Sequence, residues 1–317
     1  MIVKNELPLV SICTITYNHE SFIREALESF LNQKTNFKYE IIIYDDASTD
    51  NTQKIIREIE IKYPYIIKPH YQTVNQYSKG VRGIAAKFTF PRAQGKYIAM
   101  CEGDDYWIDP YKLQKQVDFL ENNPTISMTF GNALIDDSTY QYHRKGKYLN
   151  SDIAKVYNVD SVFELGLPTL TMVFRNGLFN FSGSKAMSGD LFLRLELSLF
   201  GGFYYHGEVF GVHRKHPTGI SRTNNRLLWN INTAENLIIF EKKALKSQRN
   251  NLSKKIVKHW IHAFVWSLLL KKYSQSVSIF INILFSKAFY SRLGFGTFKM
   301  LIVNVFLKKD ESVLDIF

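Results

Sequence analysis

Three short runs rich in apolar and β-branched residues, at 9–16, 39–44 and 97–101, constrain the fold of this 317-residue chain more than any other feature. Each reads as a β-strand buried on both faces. Between the first two, Phe22, Ile23, Ala26, Leu27, Phe30 and Leu31 recur at helical spacing. After the second, Ile55, Ile56 and Ile59 mark another helix, with Ser48, Thr49 and Asp50 as N-cap candidates and Pro64 as its stop. A third strand is expected at 66–71, and a helical stretch interrupted near Pro91 at 83–93. This βαβαβ order predicts a doubly wound α/β domain, with a mostly parallel central sheet and helices on both faces.

The polar residues that end these runs predict a site. Thr16, Tyr17 and Asn18 close the first, Asp45 and Asp46 follow the second, and Glu102, Asp104 and Asp105 the third. Right-handed crossovers bring successive strand ends to one rim, which is where open α/β sheets bind ligands. Carboxylates this close raise one another's pKa unless a cation neutralises them, and an oxygen-only set suits Mg²⁺ or Mn²⁺. A solvated acidic turn around Gly103 would explain the third cluster alone; it does not explain all three. Neither a Gly-x-Gly-x-x-Gly nor a Gly-x-x-x-x-Gly-Lys motif occurs, so dinucleotide and P-loop readings lack support.

Charge separates the two ends of the chain. The net charge is +11, and residues 241–317 hold 14 lysines and arginines against 4 acids, leaving the front close to neutral. An excess confined to the tail, without a nucleic-acid motif, argues against a nucleic-acid partner. In that tail Ile256, Trp260, Phe264, Val265, Leu268 and Leu269 form one helical stripe, and Val277, Phe280, Ile281, Leu284 and Phe285 a second. Apolar faces edged by lysine suit the surface of an anionic membrane. The alternative is a helical cap on the front domain or on a second subunit, which would make a homo-oligomer. Cys13 and Cys101 lie in expected strands and read as buried free thiols. Without a signal-peptide pattern or a membrane-length apolar run, the chain is expected in the cytoplasm, peripheral on the inner face of the membrane.

Four motifs carry a family resemblance: Pro8 to Ile12; Thr16, Tyr17 and Asn18; Ile43 to Asp50; and Glu102, Gly103, Asp104 and Asp105. In this order and spacing, over about residues 7–125, they resemble family 2 glycosyltransferases with the GT-A fold. The continuation through Tyr106, Trp107, Asp109, Pro110, Lys112 and Leu113 is similar to bacterial enzymes that build surface polysaccharides. The resemblance implies that Thr16 and Tyr17 line the base pocket, with Glu20 near ribose or base. It gives Asp45 and Asp46 the uracil and ribose of a UDP-sugar, and Asp105 the ribose or donor sugar. Glu102 and Asp104 stand where the family has Asp-x-Asp, and Asp104 is the stronger metal ligand because the longer arm of Glu102 moves it away.

Further along, residues 125–130 and 133–135 read as strands, and 136–150 as a polar loop. His143, Arg144, Lys145 and Lys147 there form a solvated face or, alternatively, a donor-phosphate or acceptor contact. A strand is also expected at 169–176, and in the stretch 209–221 a strand leads to a cluster of His and basic residues followed by a Gly loop. Asp190 opens an amphipathic helix of Leu191, Leu195 and Leu199, where the helix dipole alone favours an acid; the resemblance instead makes it the catalytic base. Arg214 and His216 match the closing Arg-x-His segment of the family, implying that Arg214 neutralises the diphosphate and His216 completes the metal site or touches the β-phosphate. His206 and His213 read as structural.

The implied activity is metal-dependent, inverting transfer of a sugar from a nucleotide-sugar, UDP-linked, to a glycan or lipid-linked glycan, with Mn²⁺ or Mg²⁺ as cofactor. A sugar nucleotidyltransferase would need a Gly-rich basic loop after the first strand, which Tyr17 to Glu20 is not. A non-catalytic carbohydrate- or membrane-binding protein would not need Asp45, Asp46, Asp104, Asp105 and Asp190 together. The expected organisation is a catalytic domain at 1–225, with a donor half at 7–125 and an acceptor half at 126–225, then a basic helical appendage at 226–317.

Overall fold

The computed structural model describes residues 7–137, 144–147, 149–157, 166–179, 189–217, 219, 226–244 and 246–284. Four parallel strands form its first half: β1 (Val10–Thr16), β2 (Tyr39–Asp45), β3 (Ile67–Tyr71) and β4 (Tyr97–Met100), in spatial order β3-β2-β1-β4. Helices α1 (Ile23–Leu31) and α2 (Thr52–Lys62) make the first two crossovers. Side chains of a strand alternate between faces, and here both faces are buried. Ile12, Ile41, Ile43, Tyr97 and Ala99 pack with Leu27, Phe30, Ile56 and Val117. Cys13, Ile42, Ile98 and Met100 pack on the other side with Phe90, Leu193 and Leu197. Fully burying a side chain such as Phe30 contributes about 1.5–3 kcal/mol. Both cysteines are buried and free, and burial pushes the Cys13 thiol up to about 12.

Beyond α3 (Lys112–Asn122) the sheet changes character. Its other strands are β5 (Tyr106–Trp107), β6 (Ile126–Asp137), β7 (Arg144–Lys147), β8 (Lys155–Tyr157), β9 (Val173–Arg175) and β10 (Gly202–Lys215), with α4 (Gly189–Ser198) preceding β10. β9 lies antiparallel between β4 and β6, β10 runs parallel to β6, and β5, β7 and β8 are antiparallel to their partners. The sheet is therefore mixed, and the expected parallel arrangement describes β1–β4 and the β6–β10 pair only. Parallel pairing requires a long crossover, and among the described residues only one helical turn, at 169–171, lies between β6 and β9.

Several local expectations shift for the same reason. The two strands expected at 125–130 and 133–135 are one continuous β6, and residues 144–147 of the expected loop pair with it as β7. Of the strand expected at 169–176, residues 169–171 form a helical turn and Val173–Arg175 alone is extended. His143 and Phe285 lie outside the described residues.

The described residues form two compact units, the sheet with α1–α4 and a set of C-terminal helices. The second holds α5 (Arg226–Glu241), α6 (Lys246–Leu269) and α7 (Tyr273–Leu284). Ile256, Trp260 and Val265 of the first expected stripe are buried in it. On α7 the inward face is Ser276, Ile279 and Ile283, which leaves Val277 and Ile281 exposed at 62% and 46%. Among the described residues, no helix is long and apolar enough to cross a membrane.

Candidate functional site

Backbone bonds between neighbouring turns build the rim above β1, β2 and β4. Thr16 pairs in register with Asp45. The Asp46 N–H donates to Thr16 O, and the Gly103 N–H to Ile15 O, each at 2.9 Å. Only glycine fits at position 103, because a Cβ there would lie 2.8 Å from Thr16 Oγ1. The chain leaves β1 and β2 through residues with positive φ, Asn18 at 53° and Ala47 at 64°. Asparagine tolerates that conformation, whereas alanine there is strained, as residues at functional turns often are.

These two turns are tied together. The Asn18 N–H donates to Ser48 Oγ at 2.9 Å, and the Thr49 N–H to Asn18 Oδ1 at 2.8 Å. The His19 N–H donates to Thr52 Oγ1 at 2.8 Å, and the Asn51 N–H to Glu20 Oε2 at 2.9 Å. Glu20 is thereby engaged with the start of α2, while Tyr17 stays exposed.

At the centre of the rim, Asp104 Oδ2 lies 3.1 Å from His216 Nε2 and 3.8 Å from His19 Nε2. His19, Asp104 and His216 each bring one ligand atom to within 4.8 Å of the others. Burial raises the Asp104 carboxyl, but the His216 hydrogen bond and the charge of His19 outweigh it and leave the group below its usual range. Burial, against the pull of Asp104, lowers His19. One carboxylate and two imidazoles at this spacing fit a divalent cation. Glu102 lies outside this set. Burial first, then the charges of Asp105 and Asp104, push its carboxyl well above the usual range, and Asp190 adds in the same direction.

Asp105 is held by the closing segment. Its Oδ1 accepts the Arg214 N–H at 2.8 Å, and its Oδ2 lies 3.3 Å from His213 Nδ1. The Arg214 guanidinium donates to Asp104 O at 2.9 Å, pairs with Glu25 and stacks 4.2 Å over the Tyr106 ring. Asp46 is also filled: its carboxylate accepts from the N–H groups of Gln76 and Tyr77 at 2.7 and 2.9 Å and from the Tyr44 hydroxyl at 3.3 Å. Asp45 Oδ1 accepts from the Ser48 N–H and Gln53 Nε2. Thr16 Oγ1, His19 Nδ1, Asp45 Oδ2 and Glu102 Oε2, by contrast, are buried without a hydrogen-bond partner. Each such group costs about 1–3 kcal/mol. Four of them at one rim point to a ligand that satisfies them. Asp190 occupies the first turn of α4, its side chain 38% exposed and 3.9 Å from Arg194 Nη2.

His19 takes a position that pattern reading did not assign, and His213, read as structural, acquires a specific partner. His19 joins Asp104, and the available signal was an imidazole three residues beyond a strand whose neighbours end in acids. His213 supports Asp105. His206 packs among the rings of Phe119, Tyr204 and Phe210, where burial lowers it to about 4.

Comparison with known proteins matches this architecture. A family model described as glycosyl transferase family 2 matches residues 11–187. An uncharacterized protein of Mycobacterium tuberculosis is 33% identical over 229 residues, covering 69% of this chain and 63% of that protein. The match thus spans less than two-thirds of that relative. The UDP-Glc:alpha-D-GlcNAc-diphosphoundecaprenol beta-1,3-glucosyltransferase of Escherichia coli is 37% identical over 130 residues, covering 41% of this chain and 48% of the enzyme. TarS of S. aureus, solved in complex with UDP-GlcNAc, aligns with a TM-score of 0.59 at 16% identity, covering 79% of this chain and 71% of that one. The mannosyltransferase PcManGT from Pyrobaculum calidifontis, in complex with GDP-Man and Mn²⁺, aligns with a TM-score of 0.50 at 14% identity, covering 89% of each chain. At such identities the structural likeness is one of fold. The family model alone covers more than half of the sequence: the chain belongs to glycosyl transferase family 2.

Proposed function

We propose that this chain is a metal-dependent, inverting glycosyltransferase. It moves a sugar from a UDP-sugar to a hydroxyl of a glycan or lipid-linked glycan in the synthesis of a bacterial surface polysaccharide. The observation that carries this reading is the rim itself, where Asp104 and His216 meet beside four buried polar atoms without partners. UDP as the donor nucleotide, and a lipid diphosphate-linked acceptor, follow the donor and acceptor in the name of the E. coli relative.

Each residue has a task in that reaction. Thr16 and Tyr17 line the base, and Asp45, with its free Oδ2, accepts hydrogen bonds from uracil or ribose. Asp46 fixes the loop at Gln76 and Tyr77 beside it. Asp104 and His216 would hold Mn²⁺ or Mg²⁺. When bound, the cation supplies Lewis-acid stabilisation of charge on the departing diphosphate. Glu102 offers Oε2 to the donor, and Asp105 and Arg214 keep the acidic turn in place under it. Asp190 accepts the proton of the acceptor hydroxyl while that oxygen bonds to the anomeric carbon. The carbon–oxygen bond to the diphosphate breaks, its electron pair leaves with UDP, and attack from the opposite face inverts the centre. The basic charge of the tail and the exposed Val277 and Ile281 support a place on an anionic membrane, where a lipid-linked acceptor resides.

Calorimetry with UDP, with and without Mn²⁺, and transfer assays over a panel of nucleotide-sugars test the reading. UDP should bind far more tightly with the cation. Asp190→Asn should keep that binding and lose about 10²–10⁴-fold in turnover. UDP affinity indifferent to any divalent cation would overturn the metal-dependent reaction, and near-normal turnover by Asp190→Asn would remove Asp190 as the base.

A further inference from the structure

We infer that His19, on the turn after β1, is itself a ligand of the divalent cation. The site then holds its ion through two imidazoles and one carboxylate. It takes Mn²⁺ in preference to Mg²⁺, and the free protein binds the ion before any nucleotide arrives. This rests on the metal-dependent reading above and adds to it a residue, a selectivity and an order of binding.

Geometry separates a ligand from a bystander here. His19 Nε2 is 3.8 Å from Asp104 Oδ2, beyond the reach of a hydrogen bond. It is a natural distance between two ligands of one ion: atoms about 2.1 Å from a shared cation stand roughly 3–4 Å apart. His216 Nε2, at 3.1 Å from the same oxygen, falls at the near end of that range. The imidazole planes of His19 and His216 are 89° apart, with centroids 6.0 Å from each other, so the two rings meet edge to face beside the carboxylate rather than stacking.

His19 is also fixed in advance. Its backbone N–H is held by Thr52 Oγ1, the positive φ of Asn18 sets the turn, and the Phe22 ring meets its imidazole edge-on at 6.3 Å. A site whose three donors come from three separate segments, each anchored by its own bonds, binds without help from a diphosphate. Two nitrogen donors shift preference away from Mg²⁺, which favours oxygen, toward transition cations.

The test uses the full chain without nucleotide. Mn²⁺ titration followed by the EPR signal of the free aquo ion should give one bound ion, with a large excess of Mg²⁺ competing poorly. Electron spin echo envelope modulation of the bound Mn²⁺ should register two coordinated imidazole nitrogens in the unaltered protein, a measurement that needs no substitution. In His19→Ala one nitrogen should remain and affinity should fall about tenfold or more. A single coordinated nitrogen in the unaltered protein, or equal Mn²⁺ affinity in a folded His19→Ala, would overturn the role of His19 while leaving metal-dependent UDP binding intact. Mn²⁺ bound only when UDP is present would overturn the order of binding. No Mn²⁺ bound with or without UDP would overturn both this inference and the function it rests on.

Discussion

Two aspartate doublets stand at the sheet rim, Asp45–Asp46 after β2 and Asp104–Asp105 after β4, and in each the chain itself engages one member more fully. Asp46 and Asp105 are buried, and both carboxylate oxygens of each meet partners from a distant segment: the backbone at Gln76 and Tyr77 for one, His213 and the Arg214 N–H for the other. Asp45 keeps an oxygen without a partner, and Asp104 turns toward His19 and His216. Asp45 ends β2, where successive side chains point opposite ways. Asp104 lies instead in a turn closed by the Asp105 N–H to Glu102 O at 3.2 Å. By either route one acid of a pair is left to a ligand while the other meets a distant segment. A doublet is thus one binding acid and one acid that holds the loop over it.

Substitution of the β4 doublet is the strongest way to break this comparison. Asp104→Ala should reduce Mn²⁺-dependent UDP affinity to the level seen without metal, with stability changed far less than binding. Asp105→Ala should do the reverse. It leaves the His213 ring and the Arg214 N–H without their buried partner, at a cost of about 3–5 kcal/mol in urea unfolding. If Asp105→Ala stays fully stable and fails to bind, the division of labour is wrong for this pair.

The β2 doublet gives a smaller version of the same contrast. Asp46→Asn keeps the shape but turns an amide NH₂ toward one of two backbone donors, so stability should drop by about 1–3 kcal/mol. Asp45→Asn should leave stability closer to that of the unaltered protein and weaken UDP by about tenfold, one charge-assisted hydrogen bond's worth. Chemical denaturation and calorimetry on both variants decide it, and equal losses of stability would erase the distinction.

The parallel half of the fold was legible because β1, β2 and β4 are apolar runs in their own right, bounded by turns. β5, β8 and β9 are two or three residues long, so their partners' register, not their own pattern, makes them strands. α5 carried no apolar stripe to read, since its buried face includes Asn230, Thr233 and Asn236 beside Leu227, Leu237 and Phe240. Lys112 was visible as part of a motif, but a lysine in a first helical turn reads as solvated. It is fully buried, its amine 4.0 Å over the Trp107 ring, and burial lowers it to about 7. At the rim, the acids announced themselves by their spacing. The difference between Asp45 and Asp46 depends on a loop thirty residues away, and the roles of His19 and His213 depend on segments meeting in space.

The smallest expected effect probes how Asp105 is held. Burial lowers the His213 ring, but its hydrogen bond to Asp105, with the charges of Asp105 and Asp104, raises it further, and Lys215 opposes only in part. The net pKa therefore lies above 6.5, and the folded protein binds this proton more tightly than the unfolded chain does. The stability it contributes is complete below pH 6.5 and is lost as pH climbs through the raised value. Asp105, raised by burial despite His213, also makes stability fall with rising pH, but its window begins near 3.8. Urea unfolding in EDTA between about pH 6 and pH 8.5 should then show the unaltered protein losing up to about 1 kcal/mol more than His213→Asn. Taking the difference between the two proteins removes the titration of distant histidines, which is common to both. Parallel curves would mean that His213 meets Asp105 as a neutral ring, and that the Arg214 N–H alone supplies the donor that fixes the second acid of the doublet.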